Sequence, residues 1–220
     1  MGKWVFVLAC LLPFAGGAQQ ESKRLKHEFQ LSAGLNSYFA FEIEPSYSYM
    51  FHKNIGVVGA LRGFGELVDD LRYDLRGPEY QWRVIDNRKK VGGLIFRPAI
   101  RFRFPIVGDW VSIAAEPGVL LNLIPDERLE FGYVNTEKFE FITKYQTIKN
   151  KGGQVLFYEM KTYISAVIDN WSILAGYNLS TFDTYSGRRN IIIEGDALNT
   201  HLPGKTKFSH AGFVGVGYFF

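Results

Sequence analysis

The residues able to do chemistry are few and scattered. The four histidines, His27, His52, His201 and His210, contain no His-x-x-x-His pair and have no acidic companion at metal-ligand spacing. Ser209 and His210 are adjacent, which suggests a hydrolase dyad, yet neighbouring residues of a strand point to opposite faces and cannot meet on one surface. No catalytic residue, cofactor site or metal site is therefore expected. What remains is a set of charges at even spacings: Glu42 and Glu44, then Arg97, Arg101 and Arg103, with Arg62, Glu116, Glu159 and Lys161 elsewhere. Even spacing puts charges on one face of a β-strand, where they pair with one another or line a path for ions.

The segments that carry these charges alternate with period two. In FRPAIRFRF, Phe96, Pro98, Ile100, Phe102 and Phe104 share one parity, and Arg97, Ala99, Arg101 and Arg103 the other. FEIEPSYSYMF repeats the pattern, with Phe41, Ile43, Pro45, Tyr47, Tyr49 and Phe51 against Glu42, Glu44, Ser46 and Ser48. A helix would mix the two sets around its circumference, so these are strands. Pro45 and Pro98 sit on the apolar parity, and each forfeits a ladder hydrogen bond for which the sequence offers no reason. Eight such segments are expected, over 27–35, 41–51, 55–65, 92–104, 110–122, 154–168, 171–181 and 206–220. HKN, PIVGD and DN join three pairs of them as tight turns, whereas three of the alternate connections are long loops. A soluble sandwich has no reason to sort its loops by end, but membrane barrels do.

Composition is consistent with this reading. The chain has 220 residues, enough for one or at most two domains, with 47% hydrophobic and 21% charged residues and a net charge of +3. That balance excludes a disordered chain and a nucleic-acid binder, which would carry a basic stripe. Aromatic residues reach 16%, beside 23 glycines, a mixture suited to pleated surfaces and close approaches. At the N-terminus, Lys3, an apolar run from Trp4 to Ala15 and the small residues Gly16, Gly17 and Ala18 form a secretory signal pattern with cleavage expected after Ala18. Residues 1–18 are thus the expected signal peptide and 19–220 the mature domain. Cys10, the single cysteine, follows Lys3 too closely to be a lipid-anchor site, so the mature chain would have no thiol and no disulfide.

Charge and volume decide which parity faces inward. The polar parity carries Glu42, Glu44, Glu116 and Glu159 against Arg62, Arg97, Arg101, Arg103, Lys161 and Lys207, a set able to pair off inside a narrow barrel. The opposite parity is aromatic and aliphatic on nearly every strand, so it faces lipid. Trp110 and Trp171 each follow a short turn, where their indoles fit an aromatic girdle. His210 lies ten residues before the end on the apolar parity, near the far edge of the apolar band. The fold expected is an all-β, transmembrane, antiparallel up-and-down β-barrel of eight strands. A ten-stranded alternative would recruit RLEFGYV and KFEFITKYQ, which otherwise form a hairpin extending the neighbouring strands beyond the membrane. Near-balanced charge favours a filled lumen over a pore. The loops at 66–90, 123–153 and 182–205 carry equal numbers of acids and bases, so capture of nucleic acid or another polyanion is not indicated.

With its signal peptide, amphipathic strands, sorted loops and closing strand VGVGYFF, the chain resembles the small outer-membrane β-barrel proteins of Gram-negative bacteria. Its aromatic-rich, glycine-rich style resembles the porin-family and PorT-like barrels of Bacteroidota. That resemblance implies the outer membrane as location and outer-membrane lipids as surroundings. It also implies recognition of Val214, Val216, Tyr218 and Phe220 by the outer-membrane assembly machinery. A monomer with a non-enzymatic structural, adhesion or accessory role is expected, with a narrow diffusion channel, a lipid A-modifying enzyme or a secretion accessory as alternatives.

Overall fold

The computed structural model describes residues 26–67, 75–76, 80–84, 91–108, 110–135 and 142–220; the expected signal peptide lies outside them. In chain order the strands are β1 (His27–Asn36), β2 (Ala40–His52), β3 (Ile55–Glu66), β4 (Leu75–Arg76), β5 (Tyr80–Val84), β6 (Gly92–Val107), β7 (Val111–Asn122), β8 (Arg128–Asn135), β9 (Ile142–Lys149), β10 (Leu156–Ile168), β11 (Trp171–Ser180), β12 (Ile192–Ile193), β13 (Asp196–Ala197) and β14 (Ser209–Phe219). Eight of them close a barrel in the order β1-β14-β11-β10-β7-β6-β3-β2, every neighbour antiparallel. No helix among the described residues is long and apolar enough to cross a membrane.

Register fixes the geometry of this wall. Following partners from Glu28 through Ser48, Val58, Ala99, Gly118, Glu159 and Ser180 leads to Ser209. Because Asn36 faces Ala211, Ser209 lies level with position 38, so one circuit climbs β1 by ten residues. A shear of ten over eight strands tilts them by about 40° and makes each residue advance roughly 2.5 Å along the axis. On that scale Phe51, Trp110, Trp171, Tyr218 and Phe220 fall within roughly 8 Å of one another at the short-turn end. Phe41, Phe96, Tyr158 and His210 lie about 25 Å above them, the height of the apolar band of a membrane barrel.

The surface is the inverse of a water-soluble protein. Outward residues such as Ile100, Ile164, Ile173 and Val214 are exposed, whereas inward Arg97 and Glu116 are wholly buried. Burial alternates residue by residue along β2 and β10, as period-two patterning requires. Lipid, not water, is the solvent that suits such an exterior.

Three strand ends differ from expectation by two or three residues, and the others by no more than one. β6 runs through Val107, so the turn expected over PIVGD shrinks to Gly108 and its neighbours, and Trp110 belongs to that turn instead of opening β7. β10 begins at Leu156, and β14 begins at Ser209. The last change leaves Lys207 exposed outside the wall, not in the lumen where parity placed it. The ten-stranded alternative is excluded. β8 and β9 do form a hairpin, but they belong to a separate sheet of order β4-β5-β8-β9, so the expected extension of the neighbouring barrel strands becomes a small sheet of its own.

The depth dependence of the exterior is open to direct test. Ile100→Arg, at mid-height, is expected to cost about 2–4 kcal/mol of folding stability in lipid, and Tyr158→Arg, near the upper edge, about 0–1 kcal/mol. Urea titration in vesicles, read by heat-modifiable gel mobility, measures both; equal costs would contradict a lipid-facing wall.

Candidate functional site: a charged lumen beneath an ordered cap

The inward parity builds two tiers of ions. In the lower tier Arg101 spends its whole guanidinium. Nη1 donates to Glu28 Oε2 at 2.5 Å and Ser48 Oγ at 2.8 Å, Nη2 to Gln30 Oε1 at 2.9 Å, and Nε to Glu116 Oε1 at 2.7 Å. Tyr163 Oη also donates to Glu116 Oε1, at 2.8 Å, and Ser172 Oγ donates to Glu28 Oε1 at 3.0 Å. In the upper tier Arg62 grips Glu159 with two parallel bonds of 2.6 and 2.7 Å while its Nε reaches Glu44 Oε2 at 2.7 Å. Such bidentate geometry is the strong form of the pair. Lys161 Nζ donates to Glu44 Oε1 at 2.7 Å and lies 4.3 Å from the centre of the Phe213 ring.

Arg97 joins the tiers. Its Nη2 donates to Glu44 Oε1 at 3.0 Å and to Glu116 Oε2 at 2.8 Å, and its Nε stands 3.6 Å from Glu159 Oε1. Glu42, at the top, accepts from Asn36 Nδ2 at 2.9 Å and lies 3.4 Å from Arg62 Nη1. Arg103 sits apart at the short-turn end, half-buried, with Nε donating to Ser112 Oγ at 2.9 Å and its guanidinium 5.2 Å from the Phe219 ring centre. The structure thus gathers Glu42, Glu44, Arg62, Arg97, Arg101, Glu116, Glu159 and Lys161 into one network and leaves Arg103 at its foot. Glu28, Gln30, Asn36 and Tyr163 complete it and were absent from the sequence-based set. Glu28 and Gln30 share the parity of Ser32, so the alternation does carry them.

Above the ions the lumen closes with apolar side chains. Ile95, Leu120, Phe157 and Phe182 pack together, Phe182 meeting Phe157 and Phe64 edge-on at 5.2 and 4.9 Å. Ile95, Leu120 and Phe157 come from the wall strands β6, β7 and β10, and the long segment after β11 adds Phe182. A cavity of about 10 Å³, the size of roughly one water molecule, lies beside Glu42, Arg62 and Asn178.

A cap with its own core stands on this stopper. Tyr38, Val91, Leu129, Phe131, Tyr133, Tyr185, Ile191, Ile193, Leu198 and Leu202 form one buried cluster. Side chains tie its loops together: Tyr185 Oη donates to Glu66 Oε1 at 2.7 Å, Arg188 Nε to Glu127 Oε1 at 2.6 Å, and Asn150 Nδ2 to the carbonyls of Pro125 and Gly187 at 2.8 and 2.7 Å. Tyr133 donates to Gln146, and burial together with the Glu194 carboxylate pushes its phenol up from the ordinary value.

The remaining sequence-based sites fall where parity sends them. Trp110 and Trp171 are exposed at the short-turn end, Trp171 edge-on to Tyr218 at 5.0 Å. Val214, Val216, Tyr218 and Phe220 face outward, whereas Phe219 is buried at the inner rim. The Phe220 ring stacks on His27 at 5.6 Å and its amide donates to the His27 carbonyl at 3.0 Å. Ser209 is buried while His210 faces out toward Tyr177 Oη, so the two do not form a dyad. Among the described residues no group of three His, Cys, Asp or Glu side chains could hold a metal ion.

A buried partner lost from this network leaves its mate uncompensated. Glu159→Gln is expected to destabilise the folded barrel by about 3–5 kcal/mol. Removing Lys149, whose pair with Asp126 is exposed, should cost about 0–1 kcal/mol. Urea midpoints of the two variants in the same vesicles make the comparison, and equal losses would mean the lumen pairs are solvated.

No protein-family model matches the sequence, and no curated protein matches it. Several solved structures resemble it. They include a major outer membrane protein from Thermus thermophilus, at 15% identity over 88% of this chain and 99% of that one, TM-score 0.49. The N-terminal β-barrel domain of Pseudomonas aeruginosa OprF matches at 10% identity over 88% and 97%, TM-score 0.44, and Neisserial surface protein A (NspA) at 11% over 88% and 94%, TM-score 0.43.

Proposed function

We propose that this chain is a monomeric, non-enzymatic barrel of the Gram-negative outer membrane that works through its ordered cap and not through its lumen. The carrying observation is the occluded interior: two ion tiers with buried side chains lie under the Ile95, Leu120, Phe157 and Phe182 stopper. A lumen so filled offers no continuous water path, and the cap is the part that meets other molecules. Long surface loops on a rigid scaffold are where such proteins carry function. A structural, adhesion or accessory role fits this division, including the secretion accessory role implied by the PorT-like resemblance. Export through a cleaved signal and delivery through the C-terminal strand belong to the same reading.

Two measurements bear on it. Purified protein in planar bilayers should show no steady single-channel openings; stable openings enlarged by Arg101→Ala would favour the diffusion channel instead. Deleting Phe220 should lower the fraction of protein that reaches the heat-modifiable, membrane-inserted state. The protein that does insert should keep wild-type urea resistance. An unchanged inserted fraction would remove Phe220 from the assembly step.

A further inference from the structure

Three prolines of the wall face lipid at nearly one level. With the tilt given above, Pro45 of β2, Pro98 of β6 and Pro117 of β7 fall within roughly 2 Å of one another along the axis. Each directly follows a lumen ion, in Glu44-Pro45, Arg97-Pro98 and Glu116-Pro117. Those three ions are the ones that Arg97 Nη2 bonds into a triad.

The ladders are broken where these prolines stand. Between Phe96 and Phe102 the β6–β7 seam keeps a single pair, Ala99 with Gly118, and between Ile43 and Ser46 the β2–β3 seam keeps none. Pro98 still pairs with Gly59 on β3, Pro117 with Met160 on β10 and Pro45 with Leu31 on β1, so the missing donors all fall on the broken seams. By contrast β11 and β14 carry no Asp, Glu, Lys or Arg and share an unbroken ladder from Trp171–Tyr218 to Ser180–Ser209.

Ion pairs cross the same two seams. Arg97 and Arg101 of β6 both reach Glu116 of β7, at 2.8 and 2.7 Å, and Arg62 of β3 reaches Glu44 and Glu42 of β2, at 2.6 and 3.4 Å. Lower on the β6–β7 seam Arg103 bonds Ser112. Gly118 allows the approach: a Cβ there would lie 2.8 Å from the Ala99 Cβ and 2.9 Å from the Pro98 carbonyl oxygen.

We infer that β6–β7 is an ion-latched seam, in which Pro98 and Pro117 each remove one backbone donor at mid-membrane and Glu116, held by Arg97 and Arg101, keeps the wall shut. Lipid offers no replacement donor to the carbonyls that face a proline, so an open seam there has no solvent of its own. The lumen network is then more than filling. It substitutes side-chain bonds for backbone bonds along one line of the wall, and release of Glu116 would part the barrel at that line. The latch follows from wall geometry and is independent of the role proposed for the cap.

Hydrogen exchange of the full folded protein in lipid vesicles tests it. In Glu116→Gln, amides of residues 97–102 and 115–120 should exchange about tenfold faster, while those of β11 and β14 stay within about twofold of the native chain. Pro98→Ala combined with Pro117→Ala restores the donors and keeps every ion pair. In the otherwise native chain this double variant should slow exchange at the seam, and in the Glu116→Gln background it should recover most of the lost protection. Uniform acceleration over all strands in Glu116→Gln would overturn the latch. So would unchanged seam exchange in the proline variant, a result readable even if Glu116→Gln does not fold.

Discussion

An eight-stranded barrel encloses a space only wide enough for side chains, and a charge placed there loses its water. Every ion in the lumen must therefore be met by another, and even Arg97, whose Nε and Nη1 make no hydrogen bond, meets Glu44 and Glu116 through Nη2. The rest of the structure follows from that requirement. Arg101 uses all of its nitrogens on four residues of three other strands, and Arg62 ties β3 to both β2 and β10. Bonds of this kind cross the barrel, so they hold opposite walls in register in a way that no ladder between neighbours can. Replacing such a network with apolar packing is often neutral for stability. Here a polar interior also keeps the apolar parity outside, because a strand slipped by one residue would bury phenylalanines and expose arginines to lipid.

The same requirement explains the division between wall and cap. Ions fill the lower and middle lumen, but the mouth is sealed by Ile95, Leu120, Phe157 and Phe182, where a loop returns over the barrel. The stopper and cap lie over ions whose side chains are buried, and in such a low-dielectric interior their pairing is strong. The cap can serve as a lid because it is folded in its own right, with a core gathered from four connections of the barrel and a four-stranded sheet.

Much of this was legible along the chain. Alternation in 92–104 and 41–51 located the strands and separated Arg97 and Arg101 from Phe96 and Phe102, because a two-residue period has one structural meaning. Parity also carried Glu28 and Gln30, and the set of lumen polar groups is incomplete without them. Strand ends were less legible. Lys207 has the inward parity, yet the chain leaves the wall before reaching it, and alternation says nothing about where pairing stops. The hairpin at 128–149 alternates as well as any wall strand, and only its partners, β5 on one side and none of the barrel on the other, show that it stands outside.

The sequence by itself determined the period, the sign of each face and the order of short and long connections, since these depend on residue type and spacing alone. Tertiary structure decided the shear of the barrel, which ions meet, and what the prolines do. Glu44, Arg97 and Glu116 lie on three strands up to 72 residues apart in number, and nothing local indicates that one guanidinium will bind both carboxylates. Pro45 and Pro98 read alone as unexplained losses of hydrogen bonds. Closing the wall brings them level with Pro117 and beside that triad, because register, a property of pairs of strands, sets height in a tilted barrel.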